Sequence, residues 1–305
     1  MREAQRGDAA GIASVSTAAV PYLVCSAARV AADLRADATF GRRRYVGLVA
    51  GVVAGTATAL QVGDRHGEQE VFVGIEVHPE LGSRGVGTAL LGAAAGAFPG
   101  ATWLSSVCLH DPVSMAFAVR NGFVPREEQA VCFVDPREVD AAGPEPAGLR
   151  AVTLDALPDL RMLLATHNLA AGTDPTGRGR RYTMYQLRAE WWDTADNAPD
   201  LSFGLLADEP SGPVLAAYTS IRADRVGGRT WCSDTATHPA YQDRGLAGWV
   251  KRRMLNAVSE AGIGEAWALR EPSDPAMLAV DAQLGYRPVA RSVQLRRRLG
   301  TARRN

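Results

Sequence analysis

Apolar and polar positions recur along the chain in an order that occurs twice. In the first half they predict a helix near 8–33, strands at 43–50, 51–62 and 70–78, a helix at 85–97, a strand at 101–108, a helix at 113–121 and a strand at 130–135. In the second half they predict helices near 153–171 and 183–193, strands at 201–208, 213–222 and 229–238, a helix at 245–261, a strand at 264–270, a helix at 275–284 and a strand at 289–298. Each half therefore indicates a mixed α/β layer with a parallel crossover.

A short motif marks the same place in both halves, directly after a predicted strand. VHPELGSRGVG at 77–87 aligns without a gap with THPAYQDRGLA at 237–247. The residues identical in the two copies are His78 and His238, Pro79 and Pro239, Arg84 and Arg244, and Gly85 and Gly245. This repeat predicts a duplicated domain.

The stretch between the two halves is short and holds little that a core would bury. Residues 136–148 contain three prolines and two glycines, a composition typical of a linker. We therefore predict a first domain at 1–135, a linker at 136–148 and a second domain at 149–305.

Composition excludes several classes of function. The chain has 305 residues, with 33 Lys plus Arg against 33 Asp plus Glu, so charge gives no reason to expect nucleic acid or an anionic membrane as a partner. Its four cysteines are widely spaced and form no metal-binding pattern, so we predict no metal and a reducing, cytoplasmic setting. No apolar run reaches about 18 residues, the length needed for a membrane-spanning helix.

The repeated motif has the chemistry of an anion site. A strand, a tight glycine-containing turn and a helix leave unpaired N–H groups at the positive end of the helix dipole. Gly85, Gly87 and Ala247 keep side chains away from that backbone, and Arg84 and Arg244 add positive charge. A pyrophosphate fits such a site. Small residues chosen only for helix packing are the alternative, and the second copy of the motif argues against it.

QDRGLA at 242–247 resembles the acetyl-CoA motif of the GNAT acyltransferase family, Q/R-x-x-G-x-G/A. Its three diagnostic positions are Gln242, Gly245 and Ala247. The first copy, GSRGVG at 82–87, matches at its last two glycines and departs at Gly82, where the family usually has Gln or Arg. The order of elements resembles that of actinobacterial tandem GNAT proteins, and the second half resembles the second domain of mycothiol synthase.

This resemblance implies two tandem GNAT domains, each with a mixed, mostly antiparallel sheet flanked by helices. It also implies an enzyme that transfers an acyl group directly from acetyl-CoA, or another acyl-CoA, to a primary amine of a small molecule. The alternatives are a non-catalytic CoA-binding scaffold and a protein N-acetyltransferase. A monomer or a homodimer is expected. The residues that the resemblance assigns to the cofactor are Thr237, Gln242, Asp243, Arg244, Gly245, Leu246 and Ala247 in the second half, and Val77, Arg84, Gly85, Val86, Gly87 and Thr88 in the first.

The catalytic residues are less well defined by the resemblance. The family's general base often lies on the strand before the motif, where this chain offers Asp234 and Glu76 as candidates. The family's frequent general acid is a tyrosine four residues before a late glycine, and those positions hold Ala118 and Asp281 here. Side chains alternate along a strand and a bulge reverses the alternation, so the sequence leaves the face of Asp234 open.

Overall fold

The computed structural model describes residues 1–36, 41–65, 68–81, 85–109, 111–173 and 179–298. The chain forms two compact units. The first unit contains Met1–Gln129 and the C-terminal residues from Ala290 onward, and the second contains Ala130–Val289.

The first unit is a sheet with helices packed on it. Its elements are β1 (Arg2–Glu3), α1 (Ala9–Ala19), α2 (Ala27–Ala36), β2 (Arg42–Val49), β3 (Val52–Arg65), β4 (Glu68–Val77), α3 (Val86–Ala97), β5 (Thr102–Cys108), α4 (Pro112–Arg120) and the start of β6 (Val124–Val134). The strand order is β1-β2-β3-β4-β5-β12, where β12 is Arg287–Arg298. Only β4 and β5 run parallel among these recorded pairings.

The second unit repeats this topology. Its elements are β7 (Leu149–Thr153), α5 (Leu160–Gly172), α6 (Met184–Leu187) with a π-helical turn at Arg188–Trp192, β8 (Phe203–Glu209), β9 (Gly212–Asp224), β10 (Arg229–Thr237), α7 (Leu246–Glu260), β11 (Glu265–Arg270) and α8 (Pro275–Gln283). The strand order is β7-β8-β9-β10-β11-β6, again with one parallel pair, β10 and β11. The predicted fold class, a mixed and mostly antiparallel sheet in each half, is confirmed.

The last strand of each predicted half completes the sheet of the other half. Residues 130–134 of β6 pair with Ala266–Arg270 of β11 in the second unit. Residues 292–298 of β12 pair with Thr102–Cys108 of β5 in the first unit. Each compact unit thus contains the strands of one sheet, whereas the predicted domains 1–135 and 149–305 are continuous segments of the chain.

Two predicted helices have different bounds in the structure. The predicted helix near 8–33 is two helices, because α1 ends at Ala19 and Pro21, which lacks an N–H, follows. The predicted helix near 153–171 begins only at Leu160, where the side chain of Asp159 caps it by accepting a hydrogen bond from the amide of Arg161.

The predicted linker at 136–148 lies on α7. The amide of Ala142 donates to Asn256 Oδ1 over 2.7 Å, and the indole of Trp249 donates to the carbonyl of Pro144 over 3.0 Å. Both anchors belong to α7, so this segment is part of the second unit.

Helices α5 and α7 cover opposite faces of the second sheet. Leu205 of β8 belongs to an apolar cluster with Val250 of α7, and its neighbour Leu206 belongs to a cluster with Leu163 of α5. Adjacent strand residues point to opposite faces, which fixes the sides of the two helices. Among the described residues, no helix is long and apolar enough to cross a membrane.

Candidate active site

A gap opens between the two parallel strands of the second unit. Strand β10 pairs with β11 from Arg229 to Trp231, and no pairing between them is recorded beyond that point within the described chain. Strand β10 nevertheless continues to Thr237 and β11 to Arg270. The backbone groups at the end of β10 therefore border a wedge between the strands, as the resemblance implies for Thr237.

The motif after β10 forms a turn that only small or turn-forming residues tolerate. Gly245 has φ +71° at the N-cap of α7, and a Cβ built there meets no atom within 4 Å. Asp243 also has positive φ, at 62°. No side chain caps this helix, and the first helical bond runs from the amide of Trp249 to the carbonyl of Gly245. The amides before Trp249 therefore lack intrahelical acceptors and suit a pyrophosphate.

A bulge on β10 determines which side chains meet in the wedge. The pairing with β9 shifts between Cys232 and Asp234, so that Ser233 is the extra residue. Cys232 packs in the cluster that includes Met254 of α7, whereas Asp234 bonds to His167 of α5. The bulge thus puts Cys232 and Asp234 on opposite faces.

One cavity of about 690 Å³ joins the bulge, the wedge and the motif. Its lining includes Asp234, Thr237 and Gln242, three residues that the sequence predicted for the site. Other lining residues come from α5 and the elements after it and from β11 and the turn that follows: His167, Arg180, Tyr182, Glu190, Trp191, Arg270, Glu271 and Asp274.

Asp234 belongs to a hydrogen-bonded cluster that the sequence did not reveal. Its Oδ2 atom lies 2.8 Å from Nδ1 of His167 and accepts a hydrogen bond from the hydroxyl of Tyr218. The Nε2 atom of His167 lies 2.8 Å from the backbone carbonyl of Arg180. The Asp234 side chain is 31% exposed, so the carboxylate remains reachable from the cavity.

The carboxylate changes the acidity of the groups around it. Burial acts to lower the pKa of His167, but the hydrogen bond and charge of Asp234 outweigh burial and raise that pKa above its usual value. Burial, with the nearby charge of Asp234, raises the pKa of Tyr218 well above its usual value. Asp234 therefore stabilises the neutral form of the Tyr218 phenol and the protonated form of the His167 ring.

A buried ionic cluster lies on the other face, behind Cys232. Lys251 Nζ is 2.6 Å from Asp281 Oδ1, with the two side chains 0% and 4% exposed. Arg270 donates from Nε to the same carboxylate, and its Nη2 lies 3.8 Å from Cys232 Sγ. Burial acts to raise the pKa of Cys232, but Lys251 and Arg270 outweigh it and lower that pKa. Two cations thus face a single carboxylate in the core.

This cluster includes position 281, where the resemblance would place a tyrosine as general acid. Asp281 occupies that position and is engaged with Lys251 and Arg270. Tyr241 and Tyr286 do not line the described cavity: Tyr241 donates to Glu209, and Tyr286 is buried at 7% exposure.

The described part of the first unit's motif resembles that of the second unit in geometry and differs in chemistry. Strand β4 pairs with β5 only from Glu70 to Phe72 among the recorded pairs and then continues to Val77, so the wedge is repeated. Gly85 has φ +75° at the N-cap of α3, and a Cβ there meets no atom within 4 Å. The α3 helix begins with Val86, Gly87 and Thr88. The predicted Arg84 lies outside the described residues.

Glu76, the second candidate base, is engaged by another helix. Ser16 of α1 donates a hydrogen bond to its carboxylate. Burial raises the pKa of Glu76, with Ser16 and Arg44 acting in the opposite direction. At the offset of the repeat, Gly74 is the counterpart of Asp234, so the first unit has no carboxylate at that position.

The other cofactor candidates of the second unit lie around the turn. Gln242, Asp243, Arg244 and Gly245 are exposed, whereas Leu246 is buried and Ala247 half-buried. The guanidinium of Arg244 stacks 5.0 Å from the ring centre of Tyr241. Among the residues that the structure describes, no group of three His, Cys, Asp or Glu side chains is arranged to hold a metal ion.

Comparisons with known proteins agree on the architecture. No protein-family model and no curated protein matches the chain. A tandem GNAT protein from the clavulanic acid biosynthesis pathway is 19% identical with a TM-score of 0.74, and the match covers 99% of this chain and 98% of that one. A GCN5-related N-acetyltransferase from Sphaerobacter thermophilus is 18% identical with a TM-score of 0.67, covering 98% and 95%.

A third similar structure is part of a larger protein. The glucosamine N-acetyltransferase region of a fungal multi-domain β-N-acetylglucosaminidase is 13% identical with a TM-score of 0.64, and the match covers 96% of this chain and 37% of that one. Over nearly its whole length, the chain therefore has the fold of tandem GNAT proteins.

Proposed function

We propose that the protein is an acyl-CoA-dependent N-acyltransferase whose second unit transfers an acetyl group directly to a primary amine of a small molecule. One observation carries the proposal: the cavity that contains the motif residue Gln242 also contains the carboxylate of Asp234. A cofactor site and a candidate proton acceptor therefore open into the same space.

The residues after β10 fit the anionic part of the donor. The left-handed Gly245 leaves open space where a side chain would stand, and the uncapped start of α7 offers backbone N–H groups. The exposed Arg244 adds a positive charge. Thr237 and its neighbours on β10 offer backbone groups in the wedge to the pantetheine arm. Acetyl-CoA, when bound, supplies the activated acyl group.

The rest of the cavity suits a cationic acceptor. Its lining includes the carboxylates of Asp234, Glu271 and Asp274 and the aromatic rings of Tyr182 and Trp191, and the lining guanidinium of Arg270 is bonded to Asp281. Carboxylates and aromatic faces both attract an ammonium group. Arg180 is paired with Glu190 through contacts of 2.6 and 2.9 Å, so its charge is largely neutralised.

Asp234 is the residue that we assign to proton removal. A primary amine has a pKa of about 10 and is protonated at neutral pH, so its lone pair becomes available only after a proton leaves. The partly exposed carboxylate of Asp234 can take that proton directly or through a water molecule. Glu76 is the corresponding proposal in the first unit, with Val77, Arg84, Gly85, Val86, Gly87 and Thr88 as a second cofactor site.

The test is turnover with a panel of amines. The protein is incubated with acetyl-CoA and amines that include polyamines, amino sugars and amino acid amides, and free thiol release is followed. Amine-dependent release of CoA, with an acetylated product in the mass spectrum, supports the proposal. Tight CoA binding without product from any amine would favour the non-catalytic scaffold.

A further inference from the structure

We propose that His167 is a positioning residue of this reaction: as an imidazolium cation bonded to Asp234, it keeps that carboxylate ionised and fixes the cavity wall at Arg180. The role of His167 in the reaction rests on the proposed function. Its structural content, the charge and bonds of His167, stands on the geometry alone.

The hydrogen bonds around the ring require two protons. Nε2 lies 2.8 Å from the carbonyl oxygen of Arg180, which only accepts, so Nε2 carries a hydrogen. The hydroxyl of Tyr218 donates its one proton to Asp234 Oδ2, so toward Nδ1 of His167, 2.9 Å away, it can only accept. Nδ1 of His167 lies 2.8 Å from the same Oδ2, and an ionised carboxylate also only accepts. Both ring nitrogens therefore carry hydrogens, and the ring is positively charged.

The surrounding charges favour the same state. The titratable and charged side chains that face the ring or its partners come from β10, β9, the segment after α5 and the π-helical turn: Asp234, Tyr218, Arg180, Tyr182 and Glu190. The one cation among these neighbours, Arg180, is neutralised by Glu190. Among the described residues, the remaining full charge in contact with the ring is the carboxylate of Asp234, which stabilises an imidazolium.

The same turn of α5 also holds the cavity wall. The side chain of Asn168, next to His167, donates to the carbonyl of Tyr182 over 2.8 Å and accepts from its amide over 2.8 Å. His167 adds the bond to the carbonyl of Arg180. One helical turn thus fixes both the candidate base and two residues, Arg180 and Tyr182, of the wall against which an acceptor would lie.

The protonation state is measured directly by NMR. Protein labelled with ¹⁵N at its histidines is studied near neutral pH, and the His167→Gln variant assigns the signals of this residue. We expect both nitrogens of His167 to resonate as protonated, and Asp234→Asn to return the ring to a neutral form at the same pH. One unprotonated nitrogen in the parent protein would overturn the inference.

Kinetics test the positioning role. In His167→Gln the nearby positive charge is gone, so the acid limb of the pH–rate profile should move to higher pH by about one unit. Arg161→Gln, on the exposed surface of the same helix, is the control and should leave the profile in place. A uniform loss of rate without a shift of the limb would indicate a merely structural histidine and would overturn the role.

The two proposals fail separately. A neutral His167 in the NMR measurement overturns this inference whether or not any amine is acetylated. A charged ring supports its structural content in either case, whereas the positioning role is tested by the pH–rate profile.

Discussion

Cys232 and Asp234 lie two residues apart on β10 but point to opposite faces of the sheet, because Ser233 bulges between them. Without the bulge both side chains would lie on one face. The carboxylate therefore meets α5 and the acceptor side of the cavity, while the thiol meets the ionic cluster under α7.

Replacing Asp234 by Asn should preserve the shape of the side chain and remove the proton acceptor. We expect turnover to fall by about 10²–10⁴-fold, since this is the usual effect of losing a general base. The loss should shrink as pH rises toward the pKa of the amine, where free amine forms without help. Steady-state rates, corrected for the folded fraction, measure this. A pH–rate profile that overlays that of the parent would remove Asp234 from the mechanism.

Replacing Gly245 by Glu should abolish CoA binding in the second unit, because a carboxylate would occupy the space in which the pyrophosphate lies. Gly262, at the other end of α7, has φ +76° and equally open surroundings, so Gly262→Glu carries similar backbone strain and should still bind. Calorimetry with CoA gives the comparison. Unchanged binding by Gly245→Glu would make the first unit the main cofactor site, and Gly85→Glu would then remove it.

The loss of stability caused by a substitution in the ionic cluster should depend on whether a negative or a positive charge is removed. Asp281→Asn leaves Lys251 and Arg270 buried without an anion and should lower the free energy of unfolding by about 3–5 kcal/mol. Lys251→Met leaves the Arg270 and Asp281 pair balanced and should cost clearly less. Urea unfolding of both variants checks the order, and equal losses would contradict the charge argument.

The raised pKa of His167 should appear in stability as a function of pH. A group whose pKa is higher in the folded than in the unfolded chain stabilises fully below its unfolded pKa, about 6.5 for histidine, and loses that contribution as pH rises through the folded value. The free energy of unfolding should therefore decline as pH rises above about 6.5. His167→Gln should remove this component. An identical slope in the variant would show that the slope comes from other groups.

Ending the chain at residue 289 should destabilise the first unit, although the cut is far from it in sequence. The cut removes the part of β12 that pairs with β5, together with Arg296, which lies 3.2 Å from Glu70. Ending the chain at residue 298 keeps the strand and is the matched control. Limited proteolysis should reveal cleavage within 1–129 only in the shorter chain, and equal resistance would contradict the strand assignment.

Local patterns predicted most of the secondary structure. The strand at 229–238 and the helix at 245–261 agree with β10 and α7 to within one residue, because alternation and helical periodicity are strong there. The five-residue β7 was missed because it is too short to show a period. The exchange of the last strands was missed because β6 and β12 have equally suitable partners in either half.

The site could be predicted in part. The motif predicted Gln242 and Gly245 as cofactor residues, and the structure places Gln242 in the cavity lining and Gly245 at the start of α7. The partner of Asp234 could not be found in this way, since His167 is 67 residues distant and the two meet only through tertiary packing. The bulge at Ser233 also has no marker in the sequence, as no glycine accompanies it.

The exchange of last strands also determines when each sheet can be completed during synthesis. A ribosome makes β6 before the other strands of the second unit, so the strand that pairs with β11 is already present when β11 emerges. The first sheet has the opposite history: β5 pairs with β12, which is translated after every other strand and helix that the structure describes. An unpaired strand edge can pair with other chains, and this edge of β5 stays open while the second unit is synthesised. Synthesis of the first unit begins before that of the second, but its sheet is completed later.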